Sequence, residues 1–443
     1  MTLKKSKLLV TILAAFVALA VNLPGSVAEK FTPREALART LYSPVAPNVV
    51  SYANVVVVAK SGGDFTTIGE ALNSITGNSP TNRYLVWVAP GTYTERLWMK
   101  EYVDIEGAGE GNTKITFTGN GGPPGPEFAL ATVAGANNSE LRFLTVENTG
   151  GDVHAFALFN GEASPSLLHV TLTASGGTYS NYGVYGIGGF PNMTNVTVNI
   201  PSGGTNGWSV GLGIAPYVHY PSPKLNNVNI TISGGGTGWT NAGIYNDRGS
   251  PTMTNVNITV SGGASTNYGV YNYGSSTRVR MSDVTTTLLG ATGANYGVYN
   301  DGGEPTMSDV TVNASGSNLN VGVWNTNCFA TMNNLTATVE GGTSAYGVYT
   351  YGQSNNHGSL IRDSRILAKS ATYNYGFRPD GYAATYIDRT TLVANTNTIY
   401  RPTGSATARV GGSQLSGGPV FGGNIVCAAT YDENYTFYTS YCP

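Results

Sequence analysis

The residues of this chain best placed to do chemistry are aromatic and recur at a fixed place in a repeat. Phe159, Tyr185, Tyr245, Tyr271, Tyr299, Trp324 and Tyr349 each follow a glycine or alanine by two positions. Aromatic faces stack on sugar rings, and tyrosine and tryptophan add a polar handle for sugar hydroxyls. A line of them reads as a ligand-binding stripe for a glycan, or as a self-stacked ladder that only stabilises the fold; the two roles are compatible. The acidic residues are scattered. Asn246-Asp247 and Asn300-Asp301 have the composition of tight turns, which accounts for them without calcium. His154 stands alone apart from Asp152 two residues earlier, and one such pair is no acid–base site. No catalytic residue, metal site or cofactor is assigned.

The aromatics belong to a phrase of four residues: aromatic or aliphatic, small, aliphatic, aromatic. It reads Phe156-Ala157-Leu158-Phe159, Tyr182-Gly183-Val184-Tyr185, Tyr268-Gly269-Val270-Tyr271 and Tyr296-Gly297-Val298-Tyr299, with further copies at 242–245, 321–324, 346–349 and 375–378 and a weaker one at Val210-Gly211-Leu212. The small residue falls at 157, 183, 211, 243, 269, 297, 322, 347 and 376. Such spacing describes a solenoid, in which each coil buries its apolar face only by stacking on its neighbours. In a regular strand the small residue and the aromatic share one face, and the aliphatic between them takes the other. Leu158, Val184, Ile244, Val270, Val298, Val323 and Val348 are therefore the expected core, with the aromatics outside beside a flat glycine track.

After each phrase comes a turn, then a second strand. Met253, Val256, Ile258 and Val260 point one way, and Asn255, Asn257 and Thr259 the other. That alternation predicts a half-buried strand, with asparagine and threonine columns running along the outside of the stack. Two or three short strands per coil predict an all-β right-handed parallel β-helix. Thr67 and Glu70 form a capping box that predicts a helix of about ten residues reaching Ile75. A second short helix is expected from about Pro33 to Leu41, strands over Asn54–Ala59 and Tyr84–Val88, and a turn over Pro90–Tyr93.

Lys4, Lys5 and Lys7 precede an apolar run from Leu8 to Val21 and a small-residue site at Ser26-Val27-Ala28, the pattern of an export signal. No later apolar run is long enough to span a membrane. Removing residues 1–28 takes three positive and no negative charges, so a formal net charge of −2 becomes −5. That balance argues against nucleic-acid binding. Of three cysteines, Cys427 and Cys442 are placed to close a disulfide loop in an oxidising compartment, and Cys328 is expected as a small buried hydrophobe. The expected organisation is a signal peptide over 1–28, a helix and linker over 29–53, a cap and first coils over 54–120, the repeat array over 121–400 and a capping segment over 401–443.

The stretch from Val55 to Leu158 resembles pectinesterases of the pectin-lyase-like β-helix superfamily. The resemblance lies in Val57-Val58-Ala59-Lys60, Gly63-Asp64-Phe65-Thr66-Thr67-Ile68, Val88-Ala89-Pro90-Gly91-Thr92-Tyr93-Thr94-Glu95, Gly107-Ala108-Gly109, Leu144-Thr145-Val146-Glu147-Asn148-Thr149 and Ala155-Phe156-Ala157-Leu158. It implies a β-helix whose first-strand sheet forms a sugar groove. The family's catalytic motifs are not matched. His154 stands where that family places a glutamine, and Ser180–Ile187 and Trp208–Ile214 lack the carboxylates expected on the next coils. Gly376-Phe377-Arg378-Pro379 echoes the arginine motif, without its tryptophan.

The expectation is a secreted, non-catalytic β-helix protein that binds extracellular polysaccharide or a cell-surface glycan. The alternatives are a carbohydrate-active enzyme, either ester hydrolase or lyase, and a purely structural surface repeat protein. The sequence leaves the oligomeric state open.

Overall fold

The computed structural model describes Tyr52 and residues 54–443, apart from 119–130, 152, 205–206, 218–219, 235–239, 263–264, 355–356, 403 and 441. The expected signal peptide and the helix over 33–41 lie outside the described residues.

The chain winds as a right-handed parallel β-helix. Among the described residues, one sheet has thirteen strands, from Leu97–Trp98 to Val420–Phe421, and the other twenty-three. Equivalent residues of successive coils stand opposite one another: Tyr268 pairs with Tyr296, Val270 with Val298 and Tyr271 with Tyr299. Parallel neighbours of this kind lie about 4.8 Å apart, so one residue type per coil becomes a continuous column. The inner columns form one core along the stack, including Val184, Leu212, Ile244, Val270, Val298, Val323 and Val348.

The second strand is bent rather than straight. Met253 and Val256 both face the core, although three positions separate them, and Thr254 and Asn255 between them are both exposed. Asn255 has φ 51°, and the stacked Asn195, Asn227, Asp283, Asp309 and Asn334 have φ between 53° and 56°. Asparagine and aspartate are the residues that enter the left-handed region at least cost. This column makes a corner, so alternation is interrupted at one defined place in each coil. Beyond the corner the expected outer columns are present, and Asn257 donates to Asn229 at 3.2 Å.

The N-terminal end is covered by a helix over Ile68–Ser74, seven residues rather than about ten. The Thr67 hydroxyl accepts from the Glu70 N–H at 3.3 Å and donates to the Glu70 carboxylate at 2.8 Å. The free N–H groups of Ile68 and Gly69 donate to the Glu95 carboxylate at 2.9 and 2.8 Å, satisfying donors that a helix leaves unpaired. Ile68, Ala71 and Leu72 are buried beneath it. The stretch expected as a turn at Pro90–Tyr93 is mostly strand. Gly91–Thr94 pairs with Thr113–Thr116, and Tyr93 is fully buried with its hydroxyl donating to the Ala89 carbonyl.

Coils continue past Tyr400 to Ile425–Ala428. The chain then closes the end with an antiparallel pair, Thr430–Tyr431 against Phe437–Tyr438. Cys427 and Cys442 are disulfide-bonded, with Cα atoms 5.1 Å apart. Reducing this bond is expected to lower stability by about 3 kcal/mol, the chain-entropy value for a loop of its size, read as a shift in denaturant midpoint. Cys328 is buried and its thiol is pushed up to about 12, chiefly by desolvation. It is expected to resist alkylation in the folded protein and to be the one thiol that reacts after unfolding without reductant; three reactive thiols under those conditions would refute the bridge.

Candidate functional site: an aromatic stripe on the first sheet

The strand Ala294–Asp301 shows how each coil builds the stripe. Asn295, Gly297, Val298 and Asn300 are buried, while Tyr296, Tyr299 and Asp301 are partly exposed. Two consecutive residues, Gly297 and Val298, therefore face inward. A Cβ on Gly297 would lie 2.1 Å from Val312 Cγ1 and 2.6 Å from the Gly322 carbonyl oxygen. Gly243 and Gly347 stand likewise against Ile258 and Ile366, at 2.2 and 2.1 Å. The strand bends at the glycine, a bulge-like reversal of the usual alternation. This corrects the expected flat glycine track: the glycine lies in the core, under the backbone, and does not share a face with the aromatic that follows it by two.

The bend has a second consequence. Residues on both sides of the glycine–aliphatic pair emerge on the same outer face, so a phrase with an aromatic at each end, such as Tyr268-Gly269-Val270-Tyr271 or Tyr296-Gly297-Val298-Tyr299, supplies two rings. Phe159, Tyr185, Tyr245, Tyr271, Tyr299, Trp324 and Tyr349 fall in one register column, interrupted only by Gly213. Phe156, Tyr182, Tyr268, Tyr296, Tyr346 and Tyr375 fall in a parallel one, with Val210, Ala242 and Val321 among them. This second column went unread because it requires the bend. At Gly213 the Tyr182 and Tyr185 rings overhang the gap, about where a Cβ would meet them at 3.0–3.1 Å.

The rings touch one another along and across the columns. Centroids lie 4.9 Å apart for Tyr268 and Tyr271, 5.0 Å for Tyr271 and Tyr299, and 3.8 Å for Trp324 and Tyr349. Phe159 and Tyr349 are covered almost completely by their neighbours, 6% and 8% exposed, while Tyr185, Tyr245, Tyr271, Tyr299 and Trp324 keep part of their surface open. Burial raises the Tyr268 and Tyr271 hydroxyls, and pushes Tyr296 up to about 12. The tyrosines thus remain neutral hydrogen-bonding groups at any physiological pH. Trp324 Nε1 donates to the Thr326 hydroxyl at 2.8 Å.

A third outward column, Asp247, Tyr273, Asp301, Thr326, Tyr351 and Asp380, runs along one edge of the stripe. Near its C-terminal end Arg378 occupies the position next to Tyr349 in the ring column. Its guanidinium donates to the Tyr346 hydroxyl at 3.1 Å and to Asp380 at 3.2 Å, and lies 5.4–5.6 Å from the Tyr346, Tyr349 and Tyr400 centroids. At the other end His154 stacks on Phe156 at 5.7 Å and meets Tyr179 edge-on at 5.5 Å. Its suggested partner Asp152 lies outside the described residues.

Beneath the stripe, the asparagines that read as turn residues are buried. Asn246 donates to Asn272 at 3.2 Å, Asn272 to Asn300 at 2.8 Å and Asn300 to Asn325 at 2.8 Å. A second ladder links Asn241, Asn267, Asn295 and Asn320 at 3.0–3.1 Å. These ladders satisfy buried amides coil by coil. Among the described residues no group of three or more histidine, cysteine, aspartate or glutamate side chains is arranged to hold a metal, and no helix is long and apolar enough to cross a membrane.

Residues 54–174 match the family model of pectinesterases. A pectinesterase of Aspergillus aculeatus is 37% identical over 54 residues, 12% of this chain and 16% of that relative's length. This is a pectinesterase-like β-helix. Among solved structures, carrot pectin methylesterase aligns at 17% identity and a TM-score of 0.38, over 66% of this chain and 84% of that one. The A-module of a mannuronan C-5 epimerase from Azotobacter vinelandii aligns at 14% identity and a TM-score of 0.49, over 82% and 92%. The pectinesterase-like match stops at residue 174. The next two strands of the first sheet, Ser180–Ile187 and Trp208–Ala215, carry no acidic residue.

Proposed function

We propose that this pectinesterase-like protein binds extracellular or cell-wall polysaccharide along the aromatic stripe and does not catalyse its breakdown. The supporting observation is the run of rings from Tyr245 through Tyr271, Tyr299 and Trp324 to Tyr349, unbroken over five coils, with a second ring beside it at Tyr268, Tyr296 and Tyr346, on the sheet that the resemblance marks as a sugar groove. Hydrolysis by paired carboxylates needs two such groups close together with different proton affinities. The described strands around Phe156–Phe159 supply none, since Ala131–Ala134, His154–Gly161 and Ser180–Ile187 are without aspartate or glutamate. Of the seven residues from Phe159 to Tyr349, the proposed ligand contacts are the partly open Tyr185, Tyr245, Tyr271, Tyr299 and Trp324, with Tyr268 and Tyr296 beside them, while the nearly covered Phe159 and Tyr349 support the two ends of the column. The Cys427–Cys442 bridge suits a secreted or cell-surface protein.

Tyr271→Ala and Tyr299→Ala test the reading. Each is expected to weaken glycan binding by about 1 kcal/mol, roughly fivefold, as measured energies of aromatic contacts suggest. The rings touch, so the double change is expected to depart from additivity. A structural ladder would instead show a lowered melting temperature with glycan affinity unchanged. Methanol release from esterified pectin at enzyme-like rates would replace the binding reading with the ester hydrolase.

A further inference from the structure

The charges beside the stripe point to its ligand class. The seven strands from Ser180–Ile187 to Ser344–Gly352 carry two charged residues, Asp247 and Asp301, and both are acids. They share the edge column, with Tyr273 in register between them. The cation beside Asp247 is already engaged: Arg248 Nε donates to its carboxylate at 2.8 Å and a second guanidinium nitrogen at 3.3 Å. Arg378, one strand further, is matched by Asp380 at 3.2 Å. Desolvation already disfavours the Asp301 anion. The cation at the far N-terminal end, Arg96, lies over the Trp98 and Phe117 rings at 5.1 and 5.3 Å, outside these seven strands.

A polyuronate carries a carboxylate on every sugar. Proteins hold such groups with arginine forks or lysines. On this face a bound uronate would exchange its hydration for aromatic carbon beside like charge, which costs free energy with no ion pair to offset it. Resting on the polysaccharide-binding reading, we infer that the stripe takes an uncharged polysaccharide and rejects free polyuronate. Two sources share that chemistry, a neutral glycan and a polyuronate whose carboxylates are esterified.

Affinity electrophoresis of the purified protein separates these. The probes are polygalacturonate, the same polymer highly methyl-esterified, and a neutral xylan, each at low and high salt. Polygalacturonate is expected to bind at least about tenfold more weakly than the better of the other two, equivalent to a difference of about 1.4 kcal/mol, and the gap is expected to narrow as salt screens the edge charges. The esterified and neutral probes identify the source. Asp301→Lys is expected to strengthen polygalacturonate binding about tenfold by reversing the local sign. Wild-type binding of polygalacturonate as tight as either uncharged polymer overturns the inference and leaves a polysaccharide site in place. Retardation by none of the three overturns the binding reading and the inference with it.

Discussion

Gly297→Ala is expected to destabilise the protein by about 3 kcal/mol, the upper part of the range for overpacking a close-packed core. The added methyl would collide with Val312 Cγ1 at 2.1 Å and with a backbone carbonyl oxygen at 2.6 Å. Valine 312 is fully buried and cannot swing into solvent, and the carbonyl belongs to the next coil. The effect should appear as a lowered denaturant midpoint. Gly111→Ala is the control, because a Cβ there meets nothing within 4 Å, and its midpoint should not move appreciably. An unchanged midpoint for Gly297→Ala would mean that the glycine faces outward, beside the tyrosines, as a straight strand requires.

Asn272→Ala is expected to cost a similar amount, about 3 kcal/mol, because it strands buried polar groups on both sides. Asn272 accepts from Asn246 Nδ2 at 3.2 Å and donates to Asn300 Oδ1 at 2.8 Å, with all three residues essentially buried. The neighbouring coils hold both amides in place, so neither can turn to water without opening the stack. Asn257→Ala removes a chemically similar contact to Asn229 on the exposed outer face. There, water replaces the lost partner, and the cost should stay within about 0.5 kcal/mol. Equal losses at the two positions would show that the inner ladder is solvated.

These two changes probe the features that were hardest to read from the residues. The repeat itself was legible because the Tyr-Gly-Val-Tyr phrase survives at intervals that one coil can span, and the stacked register of Val270 with Val298 and Tyr271 with Tyr299 follows from it. The capping box at Thr67 and Glu70 and the apolar pairs at Ile258 and Val260 were legible for the same reason: each rests on neighbours in sequence. The corner at Asn255 left a visible trace, the three-residue step from Met253 to Val256, which a strand of period two does not allow. The seven residues from Phe159 to Tyr349 share one register column, as one residue type per coil requires, but the parallel column of Phe156, Tyr182, Tyr268, Tyr296, Tyr346 and Tyr375 is not legible without the bend.

The order of residue types alone determined a parallel stack of coils, its core of valine, isoleucine and leucine, its closing disulfide and the scarcity of charge on the stripe. Tertiary structure decided which way Gly297 points, that Tyr296 and Tyr299 emerge together, and that Asn272 is buried while Asn257 is exposed. The physical reason is that period-two alternation holds only for an unbent strand. One extra inward residue reverses every side chain beyond it, and whether the strand bends depends on how a missing side chain lets Val312 and the next coil close over the glycine. Those contacts come from 15 and 25 residues along the chain, beyond the reach of any local pattern.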